Sequence, residues 1–149
     1  MAAETAALPA ATPDHWWNPP IVMLIWRATP MQAFELSQLL SAHDRASVRY
    51  TEFLRHPSLS MGLYSLPAGA VDPQQPHSED EVYYIASGQG SIRVDGEDRA
   101  VQVGSVVFVA ANVPHRFHSI TEDLSILVFF APAEYTLAAK TGEHPTSTS

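Results

Sequence analysis

The stretch PQQPHSEDEVYYIASGQG (residues 73–90) decides the fold, because it joins a polar, acidic segment directly to an apolar run that ends near a glycine. Acidic residues usually lie at the surface, whereas apolar runs usually lie in cores. If the strand containing VYYIA (residues 82–86) begins at Glu81, then Glu81, Tyr83 and Ile85 share one face, because side chains alternate along a strand. The two apolar members indicate that this face is interior, so Glu81 is predicted to point inward.

An inward carboxylate needs a partner, because a charge is costly to bury unless it is paired or coordinates a metal. His77 and Gln75 lie an even number of residues upstream of Glu81. On an extended chain they point the same way, and the prolines at 73 and 76 favour an extended chain. We therefore expect Gln75, His77 and Glu81 to converge.

A fourth candidate comes from VPHRFHSI (residues 113–120). This stretch places His115 at the start of a strand, with Phe117 and Ser119 on the same face by parity. Two imidazoles and one carboxylate form the ligand set associated with non-haem Fe(II), and they also suit Mn, Ni, Cu or Zn. The alternative is that both histidines are structural residues with satisfied hydrogen bonds.

Short β-branched and aromatic runs recur from Ser47 onward, separated by Gly, Pro or Asp. This pattern is typical of an all-β sandwich or barrel. We predict eight strands, near residues 48–54, 58–66, 81–86, 90–95, 98–103, 105–110, 115–120 and 124–130. The clearest connection is Asp95-Gly96, a pair that supplies the positive φ of a two-residue hairpin turn.

The 149 residues predict one domain, residues 31–135, with a barrel core at about 47–132. A helical apolar stripe predicts one short helix over residues 34–45. The segments 1–30 and 136–149 lack periodicity and are predicted to be mobile. The run IVMLIW (residues 21–26) and the adjacent tryptophans could still dock on the barrel or on a partner subunit.

Composition excludes several classes of protein. The formal charge of -8 disfavours binding to nucleic acid or to anionic membranes, and no apolar run is long enough to span a bilayer. The absence of cysteine excludes disulfides, thiolate ligands and a cysteine nucleophile. We expect a cytoplasmic protein whose metal ligands are nitrogen and oxygen atoms.

The runs VYYIA (residues 82–86) and LSILVFF (residues 124–130) are apolar on both faces, although a barrel interior covers only one face. A homodimer is the preferred explanation of the second face. The alternatives are cover by another sheet or by the N-terminal segment, or a phenylalanine left exposed at the surface.

The chain resembles the cupin superfamily of small β-barrel proteins, whose fold is a jelly-roll-like double-stranded β-helix. The first cupin motif matches Gly69, His77, Glu81 and Gly88 in register, with Gln75 at the position of its first histidine. The second motif retains Gly104 and His115. It departs from the family at three positions: Ala110, Asn112 and Ser119 replace Pro, Gly and Asn.

The resemblance implies a divalent metal held by His77, Glu81 and His115, with Gln75 either ligating or bonding a bound water. It implies an enzyme that uses the metal as a Lewis acid or O₂ site on a small organic substrate, of dioxygenase, isomerase or lyase type. Glu81 and Tyr83 are the candidate catalytic residues, and a buried tyrosine that only packs is the alternative for Tyr83. The departures leave open a non-catalytic binding or sensing module, either metal-loaded or empty. A site that has lost its metal through Gln75 is a further alternative.

Overall fold

The computed structural model describes residues 31–141, with side chains to residue 138. Helix α1 is Leu36–Ala46. The strands are β1 (Tyr50–His56), β2 (Leu59–Leu66), β3 (Asp80–Val94), β4 (Glu97–Gln102), β5 (Val106–Val109) and β6 (His115–Ala131). A short helix, α2, follows at Thr136–Thr141. The predictions for the N-terminal segment and for residues 142–149 lie outside the described residues.

The six strands form one antiparallel sheet in the order β1-β2-β6-β3-β4, and β5 also pairs with β3. Strands β3 and β6 are long, and their register shifts three times between Ile85 and Ser91. Such bulges bend a strand without ending it. The sheet curls at these points into the predicted all-β barrel.

The bends correct the predicted strand count, because 81–86 and 90–95 form one strand, and so do 115–120 and 124–130. Positive φ angles occur in the irregular stretch of each strand, at Gly88 (91°) in β3 and at Ser119 (49°) in β6. The predicted inward position of Ser119 is wrong, since the residue is exposed. A bulge shifts the alternation by one residue, and sequence parity carries no sign of that shift.

The predicted hairpin is confirmed. Val94 pairs with Glu97, and Asp95 (φ 48°) and Gly96 (φ 83°) both adopt the left-handed conformation between them. Two successive positive φ angles define the type I′ turn, whose twist matches that of the flanking strands.

The interior of the barrel is apolar along the predicted faces. Its fully buried side chains include Tyr83 and Ile85 of β3 and Phe117 and Phe130 of β6. Helix α1 is the predicted short helix, and it lies against β1. There the buried His43 shares a 2.7 Å hydrogen bond, through Nδ1, with the Thr51 hydroxyl. Of the described helices, neither is long and apolar enough to cross a membrane.

The outer face of β3, β5 and β6 carries a continuous row of apolar side chains, as the sequence predicts. Val82 pairs with Phe108 and with Phe129, and Tyr84 pairs with Val106. Phe108 is 61% exposed and Val106 is 66% exposed. Within the described residues this face therefore meets solvent. We call these five residues the outer apolar patch.

Candidate metal site

The first residue of the site is Glu81, one position into β3. Its side chain is 2% exposed and shares the interior face with the fully buried Tyr83 and Ile85. The predicted inward orientation is thus confirmed. One of its oxygens, Oε1, is buried without a hydrogen-bond partner among the described residues.

His77 enters the site from the loop that precedes β3. Its Nδ1 lies 3.1 Å from Glu81 Oε2, and its ring packs 4.8 Å from that of Phe130, centroid to centroid. The carbonyl of His77 accepts a 2.7 Å hydrogen bond from the Asn112 amide, which fixes the loop. Asn112 has a φ of 63°, so it adopts the conformation for which the family uses glycine.

His115 begins β6 and approaches Glu81 from the opposite end of the β3–β6 ladder, where it pairs with Val94. Its Nε2 lies 3.2 Å from Glu81 Oε2, yet it has no hydrogen-bond partner among the described residues. Its Nδ1 contacts the Val113 carbonyl at 2.8 Å. A carbonyl only accepts, so Nδ1 carries the proton and the Nε2 lone pair faces the site.

These three side chains could hold a metal ion. One ligand atom from each lies within 4.8 Å of the others, and the donor set is two imidazole nitrogens and one carboxylate oxygen. Buried polar atoms are normally paired, so the lone Glu81 Oε1 and His115 Nε2 suit a further partner between them. The donors present therefore fit a divalent transition metal.

The electrostatics of the site favour an ionised carboxylate. Burial raises the pKa of Glu81, but its polar contacts with His115 and His77 and its electrostatic attraction to His77 outweigh burial and lower that pKa to about 2. Burial lowers the pKa of His115, but its bonds to Glu81 and to the Val113 carbonyl reverse the direction and raise that pKa. The carboxylate thus attracts positive charge, which a proton or a metal can supply.

Tyr83 lies beside the site rather than in it. Its ring centroid is 5.9 Å from that of His115, and its hydroxyl donates a 3.0 Å hydrogen bond to the side-chain oxygen of Gln74. Burial, together with the adjacent charge of Glu81, raises the pKa of Tyr83 well above its ordinary value. Tyr83 therefore stays a neutral hydroxyl that can donate a hydrogen bond.

The structure brings Gln74, not Gln75, into the hydrogen-bond network next to the site. Gln75 is exposed and lies on the wall of the cavity described below. Its role as a ligand stays a prediction. His118, three residues after His115, lies outside the site, and its Nε2 pairs with Asp98 at 2.7 Å.

The carboxylate of Asp72 connects the loop before β3, which carries His77, to the strands of the barrel by hydrogen bonds. One of its oxygens accepts hydrogen bonds from the Tyr64 hydroxyl at 2.6 Å and from the Gln74 amide at 3.1 Å. The other accepts from the Gln74 side chain at 2.7 Å and from the Phe117 amide at 2.8 Å. These four bonds fix the loop that carries His77.

We expect Asp72→Asn to lower the free energy of unfolding by about 2 kcal/mol, because the new amide nitrogen cannot accept the bonds of the oxygen that it replaces. Urea denaturation measures the change. The control is Asp98→Asn at the surface, where solvent screens the ion pair and leaves it little effect on stability. Equal losses in both variants would contradict a structural role of Asp72.

Two further carboxylates near the site escaped the sequence analysis. Glu79 is 1% exposed, and its Oε1 accepts a 2.8 Å hydrogen bond from the Leu137 amide. Its even spacing from Glu81 was the signal that could have found it. Glu134 is 6% exposed and follows β6, where no sequence pattern marks it. Burial raises the pKa of Glu134, against the influence of His77.

Two of the three metal-ligand candidates, His77 and Glu81, line a cavity of about 900 Å³. Its wall includes His77, Glu81, Phe130, Tyr50, Glu79 and Glu134. The Tyr50 hydroxyl and Glu79 Oε2 are buried and have no hydrogen-bond partner among the described residues. A small polar molecule could occupy this space beside the metal ligands.

Comparison with known proteins agrees with this architecture. The family model for the cupin domain matches residues 62–130. An uncharacterized protein from Streptomyces coelicolor is 47% identical over 104 residues, which cover 70% of this chain and 99% of that protein.

Solved structures share the fold. A predicted oxalate decarboxylase from Thermotoga maritima is 23% identical, with a TM-score of 0.50 over 56% of this chain and 78% of that one. A salicylate 1,2-dioxygenase variant from Pseudoaminobacter salicylatoxidans, in complex with gentisate, is 15% identical, with a TM-score of 0.55 over 72% of this chain and 32% of that one. At such identities the similarity shows the fold alone. The family match, the barrel and the register of both motifs together place the chain in the cupin superfamily.

Proposed function

We propose that the protein is a metalloenzyme that binds one divalent metal ion through His77, Glu81 and His115 and acts on a small organic substrate in the adjoining cavity. The observation that carries this proposal is the convergence of the three side chains on one point, where two of their buried polar atoms have no hydrogen-bond partner within residues 31–141. Three protein ligands leave coordination positions open, as in metal sites that bind water or substrate directly.

When bound, the metal would supply Lewis acidity or a site for O₂. The residues of this chain would supply the ionised carboxylate, a hydrogen-bond donor and an apolar wall. Glu81 offers a carboxylate held ionised by two imidazoles. Tyr83 keeps a neutral hydroxyl whose position the Gln74 amide fixes. The apolar wall at Phe130 excludes water on one side of the site.

The class of reaction is also part of the proposal, and the similar folds favour two classes. One structure of similar fold is a dioxygenase and another a predicted oxalate decarboxylase, so we propose dioxygenase-like or lyase chemistry. Fold similarity alone does not choose between them. The metal itself restricts the choice, because O₂ chemistry of the dioxygenase type requires a redox-active ion such as iron.

Elemental analysis of protein purified under nitrogen, without chelators or an affinity tag, tests the proposal. We expect near one equivalent of iron, manganese, nickel, copper or zinc. A Gln75→His variant, which restores the first histidine of the family motif, is analysed beside it. Protein that contains no metal and takes up none on titration with these ions would refute the metal site, and metal in the variant alone would show that Gln75 empties it.

A non-catalytic binding or sensing module is the second candidate function. Two observations favour it: Gln75 takes the place of an imidazole in the family motif, and its side chain is exposed. The metal then has one imidazole ligand fewer than the family motif provides. A bound compound recovered chemically unchanged after long incubation with metal and oxygen would support this function. Any product would exclude it.

We also propose that the protein is a homodimer whose interface is the outer apolar patch. Its five side chains lie in register on three adjacent strands, and such a contiguous apolar surface is uncommon on a monomer. The same patch on two copies is self-complementary, as a two-fold interface requires.

Phe108→Asp is therefore expected to convert a dimer into a 16.3 kDa monomer, because it places a charge at the centre of the interface. Light scattering coupled to size exclusion measures the mass. Thr121→Asp, at an exposed position away from the patch, is expected to leave the dimer intact. A monomeric wild-type protein would contradict the proposal.

A further inference from the structure

We infer that Glu134 is a positioning residue for His77: it accepts the Nε2 proton of the imidazole and so directs the Nδ1 lone pair toward the metal. This inference rests on the proposed metal site. It adds to the family motifs a residue that lies beyond both of them and beyond the last strand of the barrel.

The two histidines of the site are arranged alike. His115 directs Nε2 toward Glu81 and Nδ1 toward the Val113 carbonyl. His77 directs Nδ1 toward Glu81, and its Nε2 lies 3.6 Å from Glu134 Oε1. Each ring therefore turns one nitrogen to the shared carboxylate and the other to a separate oxygen. For His77 that separate oxygen belongs to Glu134.

The backbone of Glu134 is held in place, so its carboxylate has a fixed direction. Its amide donates a 2.9 Å hydrogen bond to the hydroxyl of the fully buried Ser60. Its carbonyl accepts a 3.2 Å bond from the Arg55 guanidinium. A side-chain shift of about half an ångström would bring Oε1 within hydrogen-bond range of His77.

Fixing the tautomer of His77 matters in this chain because the site has few nitrogen ligands. With Gln75 at the position of the first histidine, two imidazoles and one carboxylate must hold the metal. An imidazole binds a metal only through an unprotonated nitrogen, so the tautomer of each ring matters. Carboxylates that fix the tautomer of a ligating histidine typically raise metal affinity about 10–100-fold.

Three variants separate positioning from charge and from packing. Glu134→Ala removes the acceptor, whereas Glu134→Gln removes the charge and keeps a carbonyl oxygen that can accept the same proton. Glu79→Gln makes the same charge change at another buried carboxylate of the cavity wall. Thermal unfolding of each variant shows whether the fold is kept.

Zinc affinity, measured by competition with a chromophoric chelator, is the first readout. We expect Glu134→Ala to bind zinc about 10–100-fold more weakly, and Glu134→Gln to lose less than about 10-fold. Glu79→Gln should bind as the wild type does. Equal losses in Glu134→Ala and Glu134→Gln, or unchanged affinity in Glu134→Ala, would overturn the inference.

The ring nitrogen shifts of His77, measured by ¹⁵N NMR, are the second readout and need no metal. At roughly pH 9, where imidazoles are ordinarily neutral, we expect Nε2 to be protonated in the wild type and in Glu134→Gln. Glu134→Ala should populate the Nδ1-protonated form, which can donate to Glu81. A wild type that binds no zinc would refute the proposed function, while an unchanged tautomer in Glu134→Ala would refute the inference separately.

Discussion

Glu81→Ala is expected to weaken binding of a divalent metal by at least about 100-fold, because Glu81 is the ligand that both histidines face. A loss of this size corresponds to about 2.7 kcal/mol of binding free energy. Metal at a hundred times its dissociation constant stabilises a protein by a similar amount. The variant should therefore lose the rise in melting temperature that added zinc produces in the wild type.

Glu122→Ala is the control, since it removes an exposed carboxylate from β6 and leaves the site untouched. It should keep both the stoichiometry and the thermal shift. His115→Ala should behave as Glu81→Ala does. If both site variants kept full metal occupancy and their fold, the assignment of the metal site would be wrong.

Gly88→Ala is expected to lower the free energy of unfolding by about 3–5 kcal/mol. Gly88 has a φ of 91°, and a Cβ added there would lie 2.1 Å from the Asp123 carbonyl oxygen. That oxygen belongs to the backbone of the neighbouring strand, so it cannot turn aside as a flexible side chain would. Guanidinium denaturation measures the loss.

Gly69→Ala and Gly96→Ala separate the clash from the backbone strain. Both glycines have positive φ, 74° and 83°, but neither has an atom within 4 Å of an added Cβ. Each substitution should cost only about 1–2 kcal/mol. A loss in Gly88→Ala no larger than in these two would contradict the close approach of the strands at Gly88.

The sequence predicted the interior of the barrel well, because side-chain alternation is a local property. The inward faces of Glu81 and Tyr83 follow from parity within one uninterrupted run. The Asp95-Gly96 turn was equally local, since its residue types alone supply the required backbone angles.

The errors arose where the chain departs from regular geometry or where distant segments meet. Ser119 lies beyond a bulge, so parity failed there. The eight predicted strands became six because glycine and polar residues that usually end a strand here bend it instead. Glu134 reaches the site through tertiary contacts with Ser60 and Arg55, which no local pattern encodes.

The route by which His115 meets Glu81 bears on how the protein folds. The two residues belong to opposite ends of the β3–β6 ladder, with Asp80 paired to Ala131 at one end and Val94 to His115 at the other. Their side chains come within 3.2 Å only when the bent sheet has closed on itself. An open or half-formed barrel therefore lacks the site, and metal cannot nucleate folding from the unfolded chain. Metal should slow unfolding while leaving the refolding rate almost unchanged, the behaviour of a contact made after the rate-limiting barrier.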